Sequence, residues 1–312
     1  MGRSNALVRL GHPAPHPRVK PEDDEGGLSA PAANGYGSFM DASPTPDAET
    51  LGVFDDFLIT LNRASAEVIL PLFRADHGLE NKAKTGSFDP VTKADKGAEA
   101  AIRGLIAQRF PDHGVIGEEY GEDRPDAEFV WVLDPIDGTR AFVAGLPLWT
   151  TLIGLRFQGR PVLGSIGQPF LGEVFIGHAG AARVIFAGGV RPLRVRPCPK
   201  LTEAVIATTD PDLFDGAELG AWRQVRAAAR LARFGCDAYA YAMVALGTLD
   251  LVVEAGLKCW DIDAAVPILA GAGGLVTDWR GADIGGHGGQ VAIAGDRACL
   301  DEALVALRRS AK

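Results

Sequence analysis

Acidic residues gather at three places where an apolar run gives way to a turn or helix. Glu118 and Glu119 sit in VIGEEYG, Asp134 and Asp137 in FVWVLDPIDGTRAF, and Asp261 in KCWDIDAA. An acidic pair inside a tight turn directs two carboxylates toward one point. Left unpaired, carboxylates gathered in this way repel one another and take up protons. A hard divalent cation removes that penalty, and all-oxygen ligation with open water positions suits Mg²⁺. The Ile136 carbonyl, between the two aspartates, can serve as a further ligand. Gly138-Thr139 follows at a helix start, where free backbone N–H groups and the helix dipole make a phosphate cradle. Metals beside an anion cradle point to phosphoryl transfer to water, the metal activating the water, orienting the ester and stabilising the leaving oxygen. Thr139 and a carboxylate can hold that water in line, the candidates being Asp95 and Glu119.

Each motif alone has a blander reading. GEE is a solvated surface pair, DPIDGT an Asp-rich turn with a helix cap, and WDIDAA a helix start with Asp near its N-terminus. The three together, in this order, are much harder to explain as accident.

These residues need elements to position them. Apolar residues at Phe54, Phe57, Leu58, Leu61, Val68, Ile69 and Leu72 have helical spacing, as one amphipathic helix or two abutting ones over 54–73. A turn-rich loop runs from Lys84 to Asp95, and a second helix is expected over about 95–109. VIGEEYG reads as a short strand entering a loop. Phe129–Val132 lead as a strand through Leu133 to Asp134, with Pro135 and Gly138 punctuating the turn. Strands with hairpins fit 148–157, 161–168, 173–177 and 182–187. After the basic connector RPLRVRPCPK, strand and helix alternate: Val205–Thr208 strand, 218–231 helix, 237–247 helix, 249–254 strand, 261–272 helix. A subdomain boundary is expected near residue 198, dividing an N-terminal α+β part (47–198) from a C-terminal α/β part (199–312). Residues 1–46, rich in Pro, Gly, Ala and charge, cannot bury enough surface to offset ordering entropy and are expected to be disordered. Alternatively Met40 is the true start and residues 1–39 an over-extended gene model.

Composition narrows the partners. A formal net charge of −9 argues against general nucleic-acid or anionic-membrane binding, which want clustered Lys and Arg. It does not forbid an anionic substrate, because a metal ion inverts the local field. Cys198, Cys236, Cys259 and Cys299 match no zinc spacing and read as reduced thiols. No apolar run reaches the roughly 18 residues of a membrane span, and no secretory signal is visible, so the cytoplasm is the expected address.

On GEEYG (117–121), WVLDPIDGTRAF (131–142) and WDIDAAVPILAGAGG (260–274), the chain resembles the inositol monophosphatase superfamily over about residues 52–305. The resemblance implies a layered αβαβα fold of the α/β class, usually dimeric, and a lithium-sensitive, Mg²⁺-dependent phosphatase with two or three ions. It further implies that Glu118, Asp134, the Ile136 carbonyl, Asp137 and Asp261 hold metal. Glu119, Asp95 and Thr139 would handle water, with Asp95 touching a further metal, and Glu254 would contact the substrate's alcohol portion. One departure is Asp263, where many members carry Ala or another small residue. Two positions from Asp261 on a helix, it points roughly 200° away and is expected on the solvent side or in a cap.

The leaving-group pocket decides the ester. RFGCDAYAYAMVALGTLDLVVEAGLKCWD (233–261) places Asp237 and Glu254 ahead of Asp261, and Asp237 stands where inositol phosphatases commonly carry a small residue. The GCDAYAY segment, with 137–155 and 271–281, is similar to the histidinol-phosphate phosphatase branch. Two carboxylates there would favour a substrate with an ammonium and an imidazole over a neutral polyol. In the alternative reading Asp237 simply caps the helix beginning there, and Arg140 either reaches phosphate or forms a structural ion pair. The expectation is histidinol-phosphate hydrolysis, with inositol monophosphate, a sugar bisphosphate or a nucleotide 3′-phosphate as alternative substrates. A non-catalytic metal or phosphate sensor is the alternative of a different class.

Overall fold

The computed structural model describes residues 45–76, 78–81 and 90–312. Most of the expected disordered extension, residues 1–44, and part of the expected Lys84–Asp95 loop, residues 84–89, lie outside the described residues.

Two helices come first. In α1 (Ala48–Ile69) Asp47 caps the start by accepting from the Thr50 N–H, and Phe54, Leu58, Leu61 and Ile69 form the buried face. The cap explains why the helix begins before its first large apolar residue. Next, β1 (Glu80–Asn81) and β2 (Pro90–Val91) pair antiparallel. Thr92 then caps α2 (Lys93–Arg109), with Asp95 reaching back to the Thr92 N–H in a capping box.

The larger sheet has eight strands: β3 (Gly114–Gly117), β4 (Gly121–Asp123), β5 (Phe129–Asp137), β6 (Thr150–Phe157), β7 (Arg160–Gln168), β8 (Glu173–His178), β9 (Ala181–Phe186) and β10 (Gly189–Pro192). Their order is β10-β9-β8-β7-β6-β5-β3-β4, with only β3 and β5 parallel. A short helix, α3 (Thr139–Val143), links β5 to β6. The second sheet has five strands: β11 (Val205–Thr208), β12 (Leu231–Phe234), β13 (Leu251–Leu257), β14 (Leu275–Asp278) and β15 (Gly289–Ala294), in the order β12-β11-β13-β15-β14. Its helices are α4 (Gly216–Ala228), α5 (Asp237–Ala245), α6 (Cys259–Ile262), α7 (Ala265–Ala272) and α8 (Arg297–Leu307).

Burial arranges these as five layers. Phe54, Leu58 and Ile102 of α1 and α2 pack on Trp131, Ile153 and Leu163 of the large sheet. On its other face Leu152, Ile166 and Phe175 meet Tyr241 of α5 and Ile268 of α7, which in turn meet Val252 and Ile293 of the small sheet. Trp222 of α4 and Leu300 of α8 cover that sheet's outer face. The architecture is the αβαβα sandwich that the family resemblance implies. Two expected helices differ. The one over 218–231 stops at Ala228, and 231–234 forms the edge strand β12. The one over 261–272 is two helices, α6 and α7, broken at Asp263 and Ala264. Among the described residues no helix is long and apolar enough to cross a membrane.

Three glycines determine where α6 and α7 sit. Gly154, Gly164 and Gly177 are cross-strand partners on β6, β7 and β8, so they form one row across the sheet. A Cβ on Gly154 would lie 3.0 Å from the Asp263 Cβ, on Gly164 2.2 Å from the Ala264 carbonyl oxygen, and on Gly177 2.6 Å from the Ile268 Cα. The row is a trough that admits helical backbone against the strands.

Gly164→Ala is expected to destabilise the fold by about 1–3 kcal/mol, because backbone must move to admit the methyl. Gly104→Ala, on a helix with nothing within 4 Å of the added Cβ, is expected to stabilise by about 0.5–1 kcal/mol. Urea denaturation of both variants checks the contrast.

Candidate active site

Asp134 and Asp137 are three apart on one strand, a spacing that in regular β structure sends side chains to opposite faces. The pairing with β6 corrects this: Asp134 faces Leu152 but Asp137 faces Thr150, so β5 carries one extra residue. This β-bulge returns both carboxylates to one side. The Asp134 Oδ1 accepts from the Ile136 N–H at 3.0 Å, and the Thr151 hydroxyl donates to the Pro135 carbonyl at 2.8 Å, fixing the bulge. Asp261 arrives from α6, where its Oδ2 accepts from the Lys258 N–H at 2.7 Å. One oxygen from each of Asp134, Asp137 and Asp261 lies within 4.8 Å of the others, an arrangement that can hold a metal ion.

The electrostatics fit a cation. Burial first, then Glu118, Asp137, Asp261 and Asp95, push the Asp134 carboxyl well above its usual range. Asp137 is raised likewise by burial and by Asp237 and Asp261. Asp261 is pushed up to about 7, mainly by burial, against the opposing Lys258 N–H. A divalent ion supplies the positive charge that water otherwise would. These oxygen donors, crowded and short of solvent, suit a hard cation such as Mg²⁺.

The other expected site residues surround this centre. Parallel pairing of β3 with β5 sets Glu118 beside Asp134, with the Glu118 N–H donating to the Leu133 carbonyl at 3.2 Å. Asp95 is buried at the start of α2, and its Oδ2 accepts from the Thr92 N–H and hydroxyl. Glu119 follows on the turn, where its charge is felt by Lys96. Gly138 takes φ +83° as α3 begins, and the Thr139 hydroxyl donates to the Ile136 carbonyl at 3.1 Å.

On the far side stand Asp237 and Glu254. Asp237 takes φ +44°, and its Oδ2 lies 3.1 Å from where a Cβ on Gly138 would be. Cys236 supplies no cap to α5; the Asp137 Oδ2 accepts from the Ala238 N–H instead, at 2.7 Å. Asp237 is raised to about 6, by burial and Asp210, against the pull of Arg140. Glu254 is buried on β13 and accepts from the Thr209 N–H at 2.8 Å and from the Thr209 and Thr208 hydroxyls. Burial nonetheless pushes it up to about 8. Arg140 pairs with Asp210 at 3.6 Å, both partly exposed.

Asp263 corrects an expectation. It does turn from Asp261, yet the face it turns to is covered by β6, not by water. Its side chain is wholly buried and forms an ion pair with the Arg156 guanidinium, which also donates to the Gly286 carbonyl at 2.7 Å. Burial raises Asp263 to about 6 against Arg156. Arg156 was not singled out in the sequence, nor were Thr208, Thr209 and Asp210. Arg156 stands two residues after Gly154 on the same face of β6, Thr208 ends β11, and Thr209 and Asp210 follow it directly. Position at a strand end is the signal that could have found them.

Comparison with known proteins decides the family. Residues 51–312 match the inositol monophosphatase family. The chain belongs to it. A chloroplastic bifunctional phosphatase of Arabidopsis thaliana, IMPL2, is 44% identical over 220 residues, 70% of this chain and 62% of that protein. The chain thus spans less than two thirds of that relative's length. A histidinol-phosphatase of Chlorobaculum parvum is 36% identical over 62% of this chain and 73% of its own. A solved inositol monophosphatase of Zymomonas mobilis is 40% identical over 84% of this chain and all of that one, with a TM-score of 0.73. Relatives of this family member are phosphoric monoester hydrolases.

Two measurements probe this geometry. Asp261 keeps its proton to about 7 in the folded protein, well above an unfolded carboxyl, and Asp134 and Asp137 are raised with it. Their contribution to stability is full below the unfolded value near pH 4 and is lost as pH rises through the folded values. Mg²⁺ on these three carboxyls offsets that loss, so in thermal melts it should raise Tm more at about pH 8 than at about pH 5.5; equal shifts would contradict a cation seated there. Separately, Arg156→Met leaves Asp263 buried and unpaired, and should cost about 3–5 kcal/mol in urea denaturation. Adding Asp263→Ala should recover much of that loss.

Proposed function

We propose that the chain hydrolyses L-histidinol phosphate to L-histidinol and phosphate, with Mg²⁺ as cofactor. The observation that carries this reading is the pair of acidic side chains beside the acidic centre, the half-buried Asp237 and the buried Glu254, raised to about 6 and about 8. Burial makes their charge costly, so a pocket that keeps them is suited to a cationic guest. Histidinol carries an ammonium and an imidazole, whereas inositol offers only hydroxyls. The histidinol-phosphatase among the relatives supports the same substrate.

In this reading Glu118, Asp134, the Ile136 carbonyl, Asp137 and Asp261 hold two or three Mg²⁺ ions. When bound, Mg²⁺ supplies Lewis-acid stabilisation of the transferring phosphoryl group and lowers the pKa of water. The residues' own work is positioning. The N–H groups at Gly138 and Thr139 face the phosphate, though α3 is too short to add much dipole. Asp95, Glu119 and the Thr139 hydroxyl orient the attacking water, and a carboxylate of Asp95 or Glu119 receives its proton. Asp237 meets the ammonium, and Glu254, fixed by Thr208 and Thr209, meets the rest of the alcohol portion. The enzyme would act as a homodimer in the cytoplasm, feed histidine biosynthesis and be inhibited by Li⁺.

A second reading, hydrolysis of inositol 1-phosphate, is favoured by the 40% identity to an inositol monophosphatase. Phosphate release from the two esters side by side, with Mg²⁺ and with EDTA, separates them. The expected result is a strong preference for histidinol phosphate that EDTA abolishes, with Asp237→Ala harming that ester at least tenfold more than the inositol ester. Equal losses on both would remove Asp237 from the specificity argument.

A further inference from the structure

The turn that carries Glu118 and Glu119 is closed by β3 and β4, which pair Gly117 with Gly121. Two side chains of α2 brace it from beneath. Glu99 is wholly buried, and both its oxygens are committed to this turn. The Oε2 accepts from the Glu119 N–H at 2.8 Å, and the Oε1 accepts from the Tyr120 N–H at 3.2 Å. The Oε1 also accepts from the Arg103 Nε at 2.7 Å, one helical turn on. The Arg103 Nη2 then donates to the Gly121 carbonyl. Three consecutive residues after Glu118 are thereby held by two side chains of one helix.

Two further features belong to the same device. A Cβ on Gly117 would lie 2.0 Å from the Glu99 Oε1, so a side chain there would displace the carboxylate. Asp95 precedes Glu99 by four residues, which places both on one face of α2. The helix therefore delivers one carboxylate to the centre directly and braces the turn that bears two more through the backbone of Glu119, Tyr120 and Gly121.

We propose that Glu99, with Arg103, is a positioning residue that sets the placement of Glu118 and Glu119 and so the affinity of the centre for its cation. The proposal rests on the reading of Glu118 as a metal ligand. A neutral amide cannot replace the carboxylate here. In Glu99→Gln one of the two positions facing backbone N–H groups becomes an NH₂ donor, and donor meets donor. Loss of such an outer partner typically costs about 10–100-fold in metal affinity.

The test titrates Mn²⁺, as a probe for the divalent site, into the full chain by calorimetry, alongside amide hydrogen exchange and phosphate release. Glu99→Gln is expected to weaken Mn²⁺ at least about tenfold and to speed exchange at the Glu119 and Tyr120 N–H groups. Raised Mg²⁺ should restore most of kcat, leaving the defect in the half-saturating metal concentration. Arg103→Lys, which loses the fork to Gly121 but leaves Glu99 in place, should show a smaller shift in the same direction. It also serves if Glu99→Gln fails to fold. Wild-type metal affinity in a folded Glu99→Gln or, failing that, in Arg103→Lys would overturn the proposal. A kcat loss that no metal concentration restores, with affinity unchanged, would overturn it as well. An active wild type with these outcomes sinks the clamp alone, whereas a wild type without metal-dependent release sinks the reading beneath it.

Discussion

The constraint on which the structure turns is the repulsion among carboxylates packed together away from water. Asp134, Asp137 and Asp261 are drawn within 4.8 Å of one another in surroundings that raise every one of them. A chain gains nothing from such crowding unless a cation completes it. The bulge in β5, the parallel placement of β3 and the seat of α6 all act to keep these oxygens converged when charge alone would part them.

The two ends of the site draw on different sheets. Glu118, Asp134 and Asp137 belong to the eight-stranded sheet and its turns, whereas Glu254, Thr209 and Asp210 belong to the five-stranded one. They meet where the Asp137 Oδ2 accepts from the Ala238 N–H, next to Asp237. A residue of the acidic centre therefore caps the helix that begins with Asp237, which ties the two ends together.

Much of this arrangement is legible in the sequence, and the reasons are local. A continuous apolar run into DPIDGT marks a strand that ends in a turn, and apolar spacing places the second helix to within two residues of its start, although its cap at Thr92 reads as loop. The long elements of the five layers follow from their apolar spacing, and the αβαβα order from the family resemblance. What is not legible depends on pairing across the chain. Nothing in FVWVLDPID announces that β6 will leave one residue of β5 unmatched. Asp263 looks solvent-facing because helical geometry says where it points and not what waits there; Arg156 lies 107 residues away. Glu99 reads as one more charge on an amphipathic helix until the amides it serves are seen. LARF (231–234) is too short to show a period, and a preceding helix without a terminal glycine hides its own end.

The trough of Gly154, Gly164 and Gly177 has a consequence for how this chain can change over time. Every other amino acid adds at least a Cβ, so no substitution at these positions is a small one. Drift around Asp237 and Asp210 can proceed by graded steps in size and charge. Drift beneath α6 and α7 meets a wall at the first step. A lineage can therefore vary that end of the site while the seat of α6 stays fixed, and change there with persistence of the acidic centre is the pattern such a wall imposes.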